Sequence, residues 1–194
     1  MSFPLSRAIA AALTVGAALP LAGCGGGPPP ATFDLSAARD VGHIRGGQQL
    51  AVTEPVALQP LDGDRIIVRQ GVSVSELAGA QWADRLPRLV QARLIQTFEN
   101  GGRIGTVGRP STLASAPAML ATELRAFNIE APAGVAVVEI TARIVQASGP
   151  VTAARIFRAE VPVEGGVTPA SATRALDEAL QQVLAQIARW ASGR

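Results

Sequence analysis

Lysine and tyrosine are absent from this chain, cysteine and histidine occur once each, and aromatic residues make up only 4% of it. Each scarcity removes a class of chemistry. The lone cysteine, Cys24, can form no disulfide within the chain, so packing alone must hold the fold. The lone histidine, His43, lies in a Gly/Arg-rich stretch without the cluster of ligand-type side chains that a zinc site needs. A hydrolytic triad would have to run through His43, and no Gly-x-Ser-x-Gly elbow supplies its nucleophile. Carboxylates are thinly spread. Asp62 and Asp64 flank Gly63 as turn residues, and the remaining ligands of an EF-hand loop are missing. Gly102, Gly105 and Gly108 follow a helical pattern and do not open one, the reverse of a phosphate cradle, and no Walker sequence occurs. Few aromatics leave no stacking platform for single strands, and the arginines are scattered singly from Arg39 to Arg194. No catalytic residue, metal site, cofactor or nucleic-acid partner is therefore expected.

A long apolar run is also lacking. A spanning helix needs about 20 apolar residues, whereas Ala8 to Leu19 is shorter, meets Pro20, and runs into Gly25-Gly26-Gly27-Pro28-Pro29-Pro30. What is present instead is a short n-region charged at Arg7, an apolar h-region, and the small residues of Leu21-Ala22-Gly23 before Cys24. This pattern predicts a lipoprotein signal peptide over 1–23, cleavage before Cys24, a thioether-linked diacylglycerol on that sulfur, and a further palmitate-type chain on the freed α-amine. One chain of myristoyl size binds a bilayer only marginally, and two or three anchor stably. Gly25, standing where an aspartate would signal inner-membrane retention, favours a periplasm-facing place on the outer membrane over the inner one. Loss of Arg7 lowers the formal charge from +2 to about +1.

Residues 24–31 read as a linker, flexible at its glycines and extended at its prolines, and 32–194 as one periplasmic domain. Thr32 to Leu35 and Gln49 to Leu58 are candidate strands. Arg65 to Arg69 is a third, a partner of the second across the Asp62-Gly63-Asp64 turn, so that Gln49 to Arg69 is expected to contain a hairpin or a bent pair. Val72 to Leu77 is a fourth. From Asp84 the apolar period changes: Leu86, Leu89, Val90, Leu94 and Phe98 define an amphipathic helix, with Asp84 as N-cap and Gly101-Gly102 as stop. Ile104 to Val107 reads as a brief strand.

Three longer segments, Met119 to Glu130, Val135 to Ala147 and Val151 to Val163, are separated by Gly/Pro turns and predict consecutive antiparallel pairing. In the middle one, Ala136, Val138, Ile140, Ala142 and Ile144 are expected to face the core. Thr168-Pro169 opens a final helix with a broad apolar face from Leu176 to Ala191.

The stretches Thr32-Phe33-Asp34-Leu35, Leu50 to Val56, Leu61 to Arg69, Trp82 to Pro87 and Leu120 to Phe127, with the final helix closing on Trp190, resemble in order and spacing the ABC-type transport auxiliary lipoprotein component family. That family includes auxiliary lipoproteins of Mce-type lipid transporters. The resemblance implies an α/β (α+β) fold of mostly antiparallel or mixed sheet, with two amphipathic helices on one face, similar to the N-terminal domain of TolB. It also implies partners: an Mce-domain periplasmic protein, an ABC permease and an ATPase that together move phospholipid or sterol. The chain itself is expected to be a non-catalytic docking component. Two other classes stay open, a structural lipoprotein of envelope assembly and a carrier of small apolar ligands. Trp82, Asp84 and Arg85 form a candidate partner surface, the alternative being that Trp82 packs beneath the first helix.

Overall fold

Glycine and proline punctuation divides the chain into short apolar stretches before the first helix and long ones after it, and the sheet is assembled accordingly. A computed structural model describes residues 29–44, 48–103 and 106–193. The predicted signal peptide and Leu21, Ala22, Gly23 and Cys24 lie outside the described residues. The strands are β1 (Ala31–Phe33), β2 (Leu50–Val52), β3 (Val56–Ala57), β4 (Arg65–Gln70), β5 (Ser73–Trp82), β6 (Val107–Gly108), β7 (Ala118–Glu130), β8 (Val135–Gln146) and β9 (Val151–Pro162). The helices are α1 (Leu86–Asn100) and α2 (Pro169–Ser192). β1 opens one residue ahead of the expected domain start.

β7 is the spine of an open mixed sheet. One of its edges is paired along its length with antiparallel β8, and β8 with antiparallel β9. The other edge takes three strands in succession, all parallel: β2 at Ala118 to Leu120, β3 at Glu123 and Leu124, and β4 at Asn128 to Glu130. β4 then pairs with antiparallel β5, and β5 with parallel β1.

The expected hairpin within Gln49 to Arg69 does not form. β4 turns instead through Gly71-Val72 into β5, with Gln70 opposite Ser73. Gly71 at φ +62° provides the positive φ that a two-residue hairpin loop requires. β2 is buried at all three positions, as parallel strands covered on both faces are.

The helices cover one face. Leu176, Leu180, Val183, Leu184 and Ile187 of α2, each 0% exposed, pack with Ala136, Val138, Ile140, Ala142 and Ile144 of β8, the side predicted to face inward. α2 begins where Thr168 accepts a hydrogen bond from the Ser171 N–H at 3.2 Å while Ser171 Oγ accepts from the Thr168 N–H at 3.0 Å. This reciprocal cap leaves Pro169, which has no N–H to satisfy, at the first helical position.

α1 starts later than its sequence suggests. Its N-cap is Arg85, without a side-chain cap bond, and Asp84 accepts from the Arg85 N–H at 2.7 Å. At its other end Gly101 is pressed against Ile44. An added Cβ would lie 2.4 Å from Ile44 Cδ1, and the left-handed residue of this stop is Gly102, at φ +95°. Among the described residues no helix is long and apolar enough to cross a membrane.

Candidate docking surface

The face of the sheet away from the helices carries most of the charged residues of the described strands, Arg155 beside Phe157 lying on the other side. A bulge at Arg125 sets the pattern: Leu124 opposes Ile140, but Ala126 opposes Glu139. The inward side of β7 therefore shifts from Leu120, Thr122 and Leu124 to Phe127 and Ile129, and Arg125 is left exposed on the outer side. Its Nε donates to Glu139 Oε1 at 2.7 Å, and Arg158 Nη1 donates to Glu139 Oε2 at 2.9 Å. Arg158 also binds Glu160 Oε1 at 2.7 Å, and Arg143 binds Glu123 at 3.2 Å.

These long side chains lie over apolar and small polar neighbours. Val137 and Thr141, on the outer side of β8, are only 1% and 5% exposed although no helix covers them. The hydrogen bond from Arg158, followed by that from Arg125, outweighs burial and holds the Glu139 carboxyl below the usual carboxylate range.

Beyond this network the same face becomes apolar. A groove of about 570 Å³ lies between the loop after β3 and the β4–β5 hairpin. Val56, Leu58, Leu61, Ile67 and Val74 line it, with Arg69, Arg125 and Asn128 among its polar residues. Leu58 is 81% exposed and Val56 65%, whereas Ile67 is buried among its outward-facing neighbours. Large apolar side chains at such exposure, gathered on one surface, are a feature of interaction sites. The signal for this groove in the sequence is Pro55-Val56-Ala57-Leu58-Gln59-Pro60, apolar residues bracketed by prolines that stop them from joining a continuous strand.

The predicted triplet of Trp82, Asp84 and Arg85 is divided by burial. Trp82 is 2% exposed and meets Phe127 edge-on, with ring centroids 5.7 Å apart. It therefore underlies the surface and presents no face to a partner, the packing alternative. Asp84 is exposed and Arg85 half-buried, and their contacts are internal. Arg85 bonds Asp62 and, at 3.2 Å, Glu54, while Asp84 lies 3.7 Å from Arg88. The pairing with Asp62 holds the Arg85 guanidinium in its charged form. Together with the Leu86 N–H donating to Gly63 O at 2.8 Å, these contacts fasten the loop before β4 to the start of α1.

A second cavity, about 380 Å³, opens at the end of the sheet where β7 begins, and Arg103 lines it with Gln146, Thr152 and Ser192. Arg103 is 5% exposed. It donates to the Gln48 carbonyl and lies 5.8 Å from the Phe98 ring, and burial lowers the affinity of its guanidinium for the proton. His43 stands against Gly102. Among the described residues no three His, Cys, Asp or Glu side chains gather as a metal site would require.

Comparison with known proteins bears on this geometry. The family model for the ABC-type transport auxiliary lipoprotein component matches residues 33–188. An uncharacterised protein of Bradyrhizobium diazoefficiens is 34% identical over 172 residues, which cover 86% of this chain and 46% of that protein. The chain thus spans about half the length of that curated relative. Among solved structures, a Xanthomonas campestris protein of family DUF330 superposes with a TM-score of 0.74 at 25% identity, covering 84% of this chain and 94% of that one. A further crystal structure, of an uncharacterised protein, gives a TM-score of 0.67 at 16% identity and shares the fold, covering 84% of this chain and 99% of that one.

Proposed function

This chain belongs to the family of ABC-type transport auxiliary lipoprotein components, and from that premise we propose that it serves, without catalysing a reaction, as the docking component of an Mce-type transporter that moves phospholipid or sterol across the envelope. Family membership carries association with an ABC transporter and an anchored place at an envelope membrane. The finer reading is that Cys24 is the acylated residue, that the membrane is the outer one, and that the partners are an Mce-domain periplasmic protein together with its permease and ATPase. Energy for transport comes from the ATPase, since this chain has no Walker sequence of its own.

The observation that carries the docking role is the uncovered outer face of the sheet, where the ion-pair network borders an apolar groove. A tether keeps such a face at high local concentration near its membrane, so that a weak contact with a partner becomes populated. Leu58 and Val56 would be the anchors of that contact, because their burial on docking removes exposed apolar surface.

The test is recovery of partners by tagged full-length protein from detergent-solubilised native membranes. The reading predicts that an Mce-domain protein co-purifies, that Leu58→Asp lowers its recovery about tenfold or more, as loss of an interface anchor does, and that Ile156→Asp, elsewhere on the outer face, leaves recovery unchanged. Co-purification of envelope-assembly proteins alone would favour the structural-lipoprotein reading, and lipid bound at near-unit occupancy would favour the carrier.

A further inference from the structure

The register of β1 gives the direction in which the chain leaves the fold on its way to Cys24. β1 is parallel to β5, with Ala31 beside Ala80 and Phe33 beside Trp82. Followed backwards from Ala31, the chain therefore heads toward Ser73 and the Gly71-Val72 turn. Seven residues of β5, Ser73 to Gly79, lie beyond Ala80 in that direction, and because Arg65 faces Gln81 while Ile67 faces Glu76, with Gly79 at φ +73°, they cover less than the roughly 23 Å of a regular strand. The linker from Cys24 to Pro30 is also seven residues, and at the polyproline II rise it can span about 22 Å. Its three prolines offer no N–H to continue the ladder along β5. The stretch ahead of β1 is thus long enough for an anchor at its far end to reach the level of the hairpin tip.

Two further turns lie at this end. The Ala131 N–H donates to Arg69 O at 2.9 Å, which brings the Ala131–Gly134 turn beside the hairpin, and the Val163 N–H donates to Gly134 O at 2.8 Å, which brings the segment before α2 beside that turn. Val72 is 97% exposed, Val167 is 39% exposed, and Ala131, Pro132 and Ala133 are all exposed. Across residues 70–73, 131–134 and 164–167 the only charged side chain is Glu164. The opposite end of the sheet instead holds Arg103 and the turn at Ser148, separated from this end by the twelve residues of β8, roughly 40 Å.

We propose that the lipoprotein stands on its membrane on this end, with Val72, Pro132 and Val167 touching the headgroup and acyl boundary beside the anchor and the long strands rising from the bilayer. The inference rests on the reading that Cys24 is acylated. It sets the Arg103 cavity and the β7–β2 end away from the membrane, with the outer sheet face standing alongside the tether and open to a partner.

A thioether-linked Cys24 does not react with maleimide, so an introduced cysteine is the sole labelling site in the mature full chain. Val72→Cys, Ala133→Cys and Ser148→Cys, each carrying an environment-sensitive nitrobenzoxadiazole group, are reconstituted in vesicles of phosphatidylethanolamine and phosphatidylglycerol doped with doxyl-labelled lipid. The geometry predicts about twofold or greater quenching at positions 72 and 133, as expected for insertion to the acyl boundary, and none at 148. Protein that floats with the vesicles yet shows equal quenching at the three positions overturns this orientation and leaves the anchor intact. Protein that does not float, and whose Cys24 takes up maleimide, overturns the anchor reading and the orientation with it.

Discussion

At Glu139 two guanidiniums converge on one carboxylate whose side chain is 18% exposed, while Arg125 and Arg158 are nearly half exposed. Screening by water limits such a network to about 1 kcal/mol. The hydrogen bonds nevertheless set a direction. Because the folded carboxyl titrates below its ordinary value of 4.5, the contribution is complete above that value and is lost as pH falls through the lower folded one. Glu139→Gln should therefore be less stable than the parent by about 1 kcal/mol at pH 7, and the gap should close on acidification below about pH 4.5. Urea titrations of the two proteins across that range check this, and a gap independent of pH would remove the charge from the account. Arg125 also illustrates what single residues conceal. Nothing in Ala121-Thr122-Glu123-Leu124-Arg125-Ala126-Phe127 marks the bulge, because the strand keeps both apolar and charged residues on either side of it.

Elements were legible in proportion to their length and to the clarity of their boundaries. β7, β8, β9 and α2 lie within a residue or so of their expected spans because each is a long periodic run between turn residues, and the pairing of consecutive strands is local information. The placement of β2 and β3 was not legible. Their partner is β7, with Leu50 beside Ala118 and Val56 beside Glu123, and periodicity carries no record of a partner that distant in the chain. The same uncertainty sent β4 to the wrong neighbour, since both β2 and β5 offered apolar alternation. Capping was read correctly at α2 and one residue early at α1, where Asp84 binds the N–H of the cap residue itself. The α2 cap gives a test at this scale. Thr168→Ala removes the side-chain acceptor for Ser171 N–H and is expected to lower stability by about 1 kcal/mol, a fall in Tm of roughly 2–4 °C for a domain of this size. Thermal unfolding followed by circular dichroism measures it, and an unchanged Tm would mean that α2 is held wholly by its buried face.

At the scale of the whole molecule, one face of the sheet is sealed by helices and the other is left to charged side chains and a groove. The individual helices and long strands were legible from their periods, and the class of the fold from the family resemblance. The groove was not, because Val56 and Leu58 were expected inside one continuous strand, whereas Val56 lies in the two-residue β3 and Leu58 in the loop after it. Trp82 was named with Asp84 and Arg85 as a candidate surface, but its large apolar ring is buried in the core against Phe127. On the proposed orientation the body is fixed at its foot and open along its flank. The most direct measurement is photo-crosslinking in living cells with a benzophenone side chain in place of Leu58, followed by mass spectrometry of the adduct. The account predicts a crosslink to the Mce-domain protein of an ABC system, absent when the probe stands at Ser148. Adducts at position 58 formed only with unrelated envelope proteins or with lipid would contradict it.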